Sequence, residues 1–284
     1  DRYIYFISIV KDLVQSNEIT PERIDDAVRR ILKQKFLLNL FEEPYTDRSL
    51  MADFGSDEHR NVARQAVRES IVLLSAKNDI LPLSKNDSKI MVCGSKAKNL
   101  GAQCGGWTIS WQGSEGDITI GTDILEGIQN MAGTSQIVYS VDGTLTDGVD
   151  VAVVVIGETP YTEGAGDRSN LNLEASDVEL IQRLRKEGVD VVTVLISGRP
   201  MIIGEALPYT DAFIAAWLPG TEGDGVAEIL FGDYTPKALL THSWPKTMSQ
   251  IPINYGDNNY APLFSYKHGL QNFPEAVSGD FLPY

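Results

Sequence analysis

Three carboxylates share one glycine-rich loop, Gly157-Glu158-Thr159-Pro160-Tyr161-Thr162-Glu163-Gly164-Ala165-Gly166-Asp167. The loop follows the apolar run 151–156, which predicts a buried strand. Ligands of open α/β sheets bind beyond the carboxyl ends of the strands, so proton-transfer chemistry is expected here first. A second loop, Cys104-Gly105-Gly106-Trp107-Thr108-Ile109-Ser110-Trp111-Gln112-Gly113, sets two tryptophans among glycines, where an indole is hard to bury. An indole face stacks on the apolar face of a sugar ring and keeps a polar N–H free. Acids together with exposed indoles point to a sugar.

The three acids read differently. Asp167 fits a turn former or a cap. Glu158, directly after the strand, is placed to orient the loop. Glu163 lies at the apex and is free to reach outward, either as a solvated charge or as a proton donor and acceptor. Trp107 and Trp111 fit a binding pair, but their i, i+4 spacing also fits one helical turn packed inward. Trp217 and Trp244 lie in or near strands and read as core. Ile196-Ser197-Gly198-Arg199-Pro200 lacks the first glycine of a G-x-S-x-G nucleophile turn and reads as a strand-end turn, whose Arg199 can order a neighbouring carboxylate. Gly94-Ser95-Lys96-Ala97-Lys98-Asn99-Leu100-Gly101 is neither a dinucleotide fingerprint nor a P-loop, so no nucleotide cofactor is expected.

The elements that carry these loops alternate. Helices are predicted over 3–15 and 21–40, the latter opened by Thr20 as cap and Pro21 at the first helical position. Residues 41–48 read as a linker, and 57–74 as a helix turning apolar at its end. Strands are predicted at 90–93, 137–141, 151–156, 189–197, 212–217 and 239–244. Helices are predicted at 123–131, from a capping box at Ser176-Asp177-Val178-Glu179 to a stop at Gly188, and at 222–231. This order predicts an α/β fold, a mostly parallel sheet covered on both faces.

Composition narrows the partners. The 284 residues carry a formal net charge of −15, with 43% hydrophobic and 22% charged residues. So acidic a chain is poorly suited to phosphate backbones, and no nucleic acid is expected. Two cysteines and three scattered histidines offer no metal-ligand spacing, so neither metal nor other cofactor is expected. No apolar run reaches the roughly 20 residues of a membrane span. A soluble protein, secreted or periplasmic, is compatible with the sequence, which leaves the compartment open.

Several longer motifs, in order, resemble glycoside hydrolase family 3, the β-glucosidase and exo-β-glucanase family. Arg23-Ile24-Asp25-Asp26-Ala27-Val28-Arg29-Arg30-Ile31-Leu32 is similar to the segment closing that family's barrel, and Phe41-Glu42-Glu43-Pro44-Tyr45 to its interdomain linker. The Trp107–Trp111 loop, Leu195-Ile196-Ser197-Gly198-Arg199-Pro200, Ala215-Ala216-Trp217-Leu218-Pro219-Gly220 and the stretch from Pro262-Leu263-Phe264 to Gly269-Leu270 resemble its second domain and end. Lys267-His268 departs from the family's usual Gly-Tyr there. The resemblance implies a two-domain retaining β-glycosidase. An N-terminal (β/α)8-type barrel would supply an aspartate nucleophile, typically in Ser-Asp-Trp, and an α/β/α sandwich would supply the acid/base from a loop.

On that pattern Glu163 takes the acid/base position, Trp111 the aromatic clamp at the leaving-group subsite with Trp107 beside it, and Glu158, Asp167 and Arg199 support the loop. Residues 1–40 would be the barrel's last helices, 41–56 the linker, 57–250 the sandwich and 251–284 a tail. No Ser-Asp-Trp occurs; Ser56-Asp57 and Ser176-Asp177 precede Glu and Val. The chain is therefore expected to hold half of an active site for a β-glucoside or β-glucan oligosaccharide and to hydrolyse nothing alone. It should self-associate or bind its barrel through apolar residues such as Ile24, Val28, Ile31 and Leu32. A carbohydrate-binding or scaffolding module without turnover is the alternative.

Overall fold

The computed structural model describes residues 2–77, 79–144 and 147–274. Two compact units divide the chain, 1–56 and 57–284. In the first, α1 (Tyr3–Gln15) and α2 (Pro21–Leu37) are both amphipathic. The Thr20 hydroxyl caps α2 by accepting from the Arg23 amide at 3.3 Å, with Pro21 behind it. Neither helix buries a single residue, and Val28 and Ile31 are exposed.

The second unit is a six-stranded sheet of β1 (Val72–Ala76), β2 (Lys89–Cys93), β3 (Gln136–Tyr139), β4 (Val151–Gly157), β5 (Asp190–Ile196) and β6 (Ala212–Trp217), in the order β1-β6-β5-β4-β2-β3. All pairings are parallel except β1 with β6. The central β4 and β5 are almost unbroken Val/Ile/Leu runs because both of their faces are covered. Alternate residues supply two cores. Ile90, Val92, Val153, Val155, Val192 and Val194 pack toward α3 (Asp57–Ser70), α5 (Ile124–Met131) and α7 (Gly223–Leu230). Met91, Ala152, Val154, Ile156 and Val191 pack toward α6 (Ala175–Lys186) and the segment around Trp244. This is the expected α/β/α sandwich.

Three local expectations are corrected. The helix predicted over 57–74 stops at Ser70, and Val72–Ala76 forms the antiparallel edge strand β1. The stretch 239–244 is no strand of the sheet; Trp244 makes an isolated antiparallel bridge to Phe264, and Leu240 accepts from Lys267 and donates to His268 through backbone. The capping box at Ser176 is not made, since α6 begins at Ala175 after Glu174 without a side-chain cap. Residues 275–284 of the expected tail lie outside the described residues.

Candidate active site

Chain order reverses between β2 and β4, which pair directly while β3 and β5 lie on opposite sides of them. Such reversals open a crevice at the carboxyl ends of parallel strands. The tryptophan loop lies between β2 and α5, following the short α4 (Leu100–Cys104), and the acidic loop lies between β4 and α6.

Gly157 ends β4 at φ 151°, and an added Cβ would stand 1.9 Å from the Ile196 carbonyl oxygen, so only glycine fits. The chain turns inward there, and the Glu158 amide donates to that same oxygen at 2.9 Å. The Glu158 carboxylate is buried. Its Oε1 accepts from Arg199 Nη2 at 2.7 Å and Nε at 3.1 Å, and from Arg168 Nη1 at 3.4 Å. Its Oε2 accepts from the Tyr161 hydroxyl at 3.2 Å. Arg199 also donates from Nη1 to the Gly166 carbonyl at 2.7 Å and lies over the Tyr161 ring, 4.4 Å from its centre. One guanidinium thus ties the exit of β5 to both ends of the acidic loop. Burial first, and then the Glu158 charge, push the Tyr161 phenol up to about 12, so it remains a donor at neutral pH. With Gln112, Pro160 and Ala165 these groups line a cavity of about 150 Å³.

Thr162 joins the two loops. Its amide donates to Gln112 Oε1 at 3.0 Å and its hydroxyl to the Trp111 carbonyl at 3.1 Å. The approach is close enough that a Cβ on Gly106 would lie 2.1 Å from Thr162 Cγ2. The next residue, Glu163, opens a short 3-10 turn, Glu163–Gly166, with φ 48°. Its side chain is exposed and makes no hydrogen bond or ion pair among the described residues. Asp167 closes that turn, exposed, with its amide donating to Gly164 at 3.1 Å.

Trp107 and Trp111 are 70% and 55% exposed, with ring centres 6.3 Å apart and planes at 52°. The inward-packed helical turn is not formed; the Trp107 amide instead donates to the Trp111 carbonyl at 2.9 Å and closes a five-residue tip. Of the tryptophans read as core, Trp244 is fully buried, whereas Trp217 is half-buried with its indole N–H on the Ser70 carbonyl. Sequence reasoning missed Arg168, Tyr161, Thr162 and Gln112. Tyr161 and Thr162 flank Glu163, but nothing local marks Arg168 or Gln112.

Among the described residues no three His, Cys, Asp or Glu side chains group to hold a metal ion, and no helix is long and apolar enough to cross a membrane. The geometry defines a doubly wound α/β domain that presents, on joined loops, two indoles and a carboxylate without a partner among the described residues. A family profile described as the glycosyl hydrolase family 3 C-terminal domain matches residues 71–276, and the chain belongs to that family. It is 33% identical, over 93% of its length, to the lysosomal beta glucosidase of Dictyostelium discoideum, and 29% identical, over 99%, to the periplasmic beta-glucosidase of Salmonella typhimurium. The chain spans only 36% and 42% of those two relatives. It superposes over its whole length on the exo-1,3/1,4-beta-glucanase of a Pseudoalteromonas species, with a TM-score of 0.86 and 36% identity, covering 38% of that chain.

Proposed function

We propose that this chain supplies the acid/base half of a retaining β-glycosidase acting on β-glucosides or β-glucan oligosaccharides. A barrel domain, joined or separate, would supply the aspartate nucleophile. The observation that carries this reading is the contrast within one loop. Glu158 is buried and held by two arginines and a tyrosine, whereas Glu163, five residues on, is exposed and without a partner among the described residues. Both oxygens of Glu158 are taken up by internal partners, whereas those of Glu163 are open to a ligand.

A retaining reaction needs two carboxyls about 5–5.5 Å apart. In the first step the barrel aspartate attacks the anomeric carbon while protonated Glu163 donates to the departing glycosidic oxygen. In the second, Glu163 takes a proton from the water that opens the glycosyl-enzyme. Trp111, with Trp107 beside it, stacks on the leaving-group sugar. Glu158 and Arg199 hold the loop, and Asp167 closes its 3-10 turn through its backbone amide.

The test is Glu163→Ala in the complete enzyme, barrel included. Turnover of substrates with poor leaving groups should collapse, activated aryl glycosides should lose less in the first step, and azide should partly restore turnover of the latter because it needs no general base. Equal loss on both substrates without azide rescue would refute the assignment. The 284-residue chain alone should hydrolyse neither; turnover by the pure chain would demand a second carboxylate from within it.

A further inference from the structure

The tip of the tryptophan loop holds a conformation that its sequence resists. Ile109 has φ 61°, and the Ser110 amide donates across it to the Thr108 carbonyl at 2.7 Å. An i to i+2 hydrogen bond around a residue of positive φ is the rare, strained form of γ-turn. A β-branched residue at positive φ is an outlier, where glycine or asparagine would relieve the strain. Burial does not compensate, because Ile109 is 79% exposed. Trp107 shares the strain at φ 60°.

The bond from the Trp107 amide to the Trp111 carbonyl makes Ile109 the apex of the tip, two residues from each indole. The Thr162 hydroxyl on that same carbonyl fixes the tip to the acid loop. The fold therefore holds a branched apolar side chain out in solvent, at the apex of a tip that carries two exposed indoles, at an energetic disadvantage. Strain of this kind persists at sites that bind ligands.

We propose that Ile109 is a specificity-determining wall of the leaving-group subsite, gripping the apolar face of the departing sugar together with Trp107 and Trp111. The inference rests on the glycosidase reading of this site and names a residue that the reading does not use. Its consequence is a trade-off: the residue that best fits the backbone is the one that binds substrate worse.

The experiment is Ile109→Asn in the complete enzyme, since asparagine tolerates positive φ without a branched Cβ. The midpoint of thermal unfolding should hold or rise by about 2–4 °C. The specificity constant kcat/KM should fall about tenfold more for β-linked gluco-oligosaccharides than for β-glucosyl fluoride, whose leaving group is too small to reach the wall. Ile109→Val, which keeps the branch and the strain, should show a smaller selective loss and no thermal gain. Equal effects on the two substrates, or a lower unfolding midpoint for Ile109→Asn, would overturn the proposal. Glu163→Gln serves as the separate control: if it slows glycosylation from the fluoride as much as from oligosaccharides, the acid/base reading fails while the Ile109 ratio remains readable.

Discussion

Arg199→Met tests whether the buried brace, rather than the loop's own sequence, holds the acidic loop. The substitution keeps much of the side chain's length and removes its charge. Glu158, whose side chain is 5% exposed, would keep only Arg168 at 3.4 Å and the Tyr161 hydroxyl at 3.2 Å. Removing one partner of a fully buried pair costs about 3–5 kcal/mol. Arg199 is itself 23% exposed and Arg168 remains nearby, so the ion-pair part comes down to about 2 kcal/mol. Losing the contact with the Tyr161 face adds about 0.5–1 kcal/mol. The total of about 3 kcal/mol should lower the unfolding midpoint by about 6–12 °C, read by thermal or urea unfolding. The same account requires that Arg199→Met with Glu158→Gln recover more than half of that loss, because no buried charge is then left unpaired. A single variant within about 0.5 kcal/mol of the parent, or a double variant as unstable as the sum of its parts, would refute the brace.

Two other substitutions test the tryptophan loop and the start of α6. Trp111→Ala in the complete enzyme should weaken oligosaccharide turnover more than that of activated aryl monosaccharides, by on the order of 1–3 kcal/mol, or roughly 5- to 150-fold in kcat/KM; unchanged oligosaccharide kinetics would remove Trp111 from the subsite. Asp177, at the start of α6, is pushed from an ordinary value near 3.8 up to about 6, chiefly by burial, with Lys96 and the Gly157 amide working against the shift. Between those values the folded chain keeps a proton that the unfolded chain has released, so stability falls as pH rises through the window and the full cost stands above it. Asp177→Asn should therefore gain about 1–3 kcal/mol at pH 7, gain nothing near pH 3.5, and flatten the pH dependence between; a gain independent of pH would contradict this.

What the chain discloses before folding is mostly local. The run 151–156, ended by a glycine, announces β4 and the loop beyond it, because a strand buried on both faces must be apolar throughout. The glycines around Trp107 and Trp111 announce indoles that are hard to bury. The same local logic fails at 71–74, where an apolar run after a helix fits a last helical turn as well as a strand; only the distant β6 decides. It fails again at 239–244, whose apolar pattern suits a strand but whose partners are the residues around Phe264 and His268. The brace joins residues 41 apart, and Thr162 meets its partners 50 and 51 residues away. No local spacing could place them together. The strained apex at Ile109 is equally silent, since Thr108-Ile109-Ser110 contains no residue that favours positive φ.

The two fates of carboxylate in this loop follow from a single physical constraint. An acid buried directly after a central strand must be paired inside the chain, because an unpaired buried charge is costly. Glu158 is so paired, and the arginine that pairs it also reaches Gly166 and Tyr161, turning a desolvation problem into a scaffold for the residues between. Glu163, proposed to exchange protons with a ligand, has no such partner among the described residues. On the proposed reading the loop separates the two tasks by five residues and a change in backbone, extended at Thr162 and left-handed at Glu163. The separation makes the tasks independently breakable: loss of Glu163 should spare the fold, while loss of Arg199 should weaken it and misplace Glu163 as a consequence. An Arg199 variant that unfolds more easily yet retains full activity once the barrel is present would show that the barrel, not the brace, sets the position of Glu163.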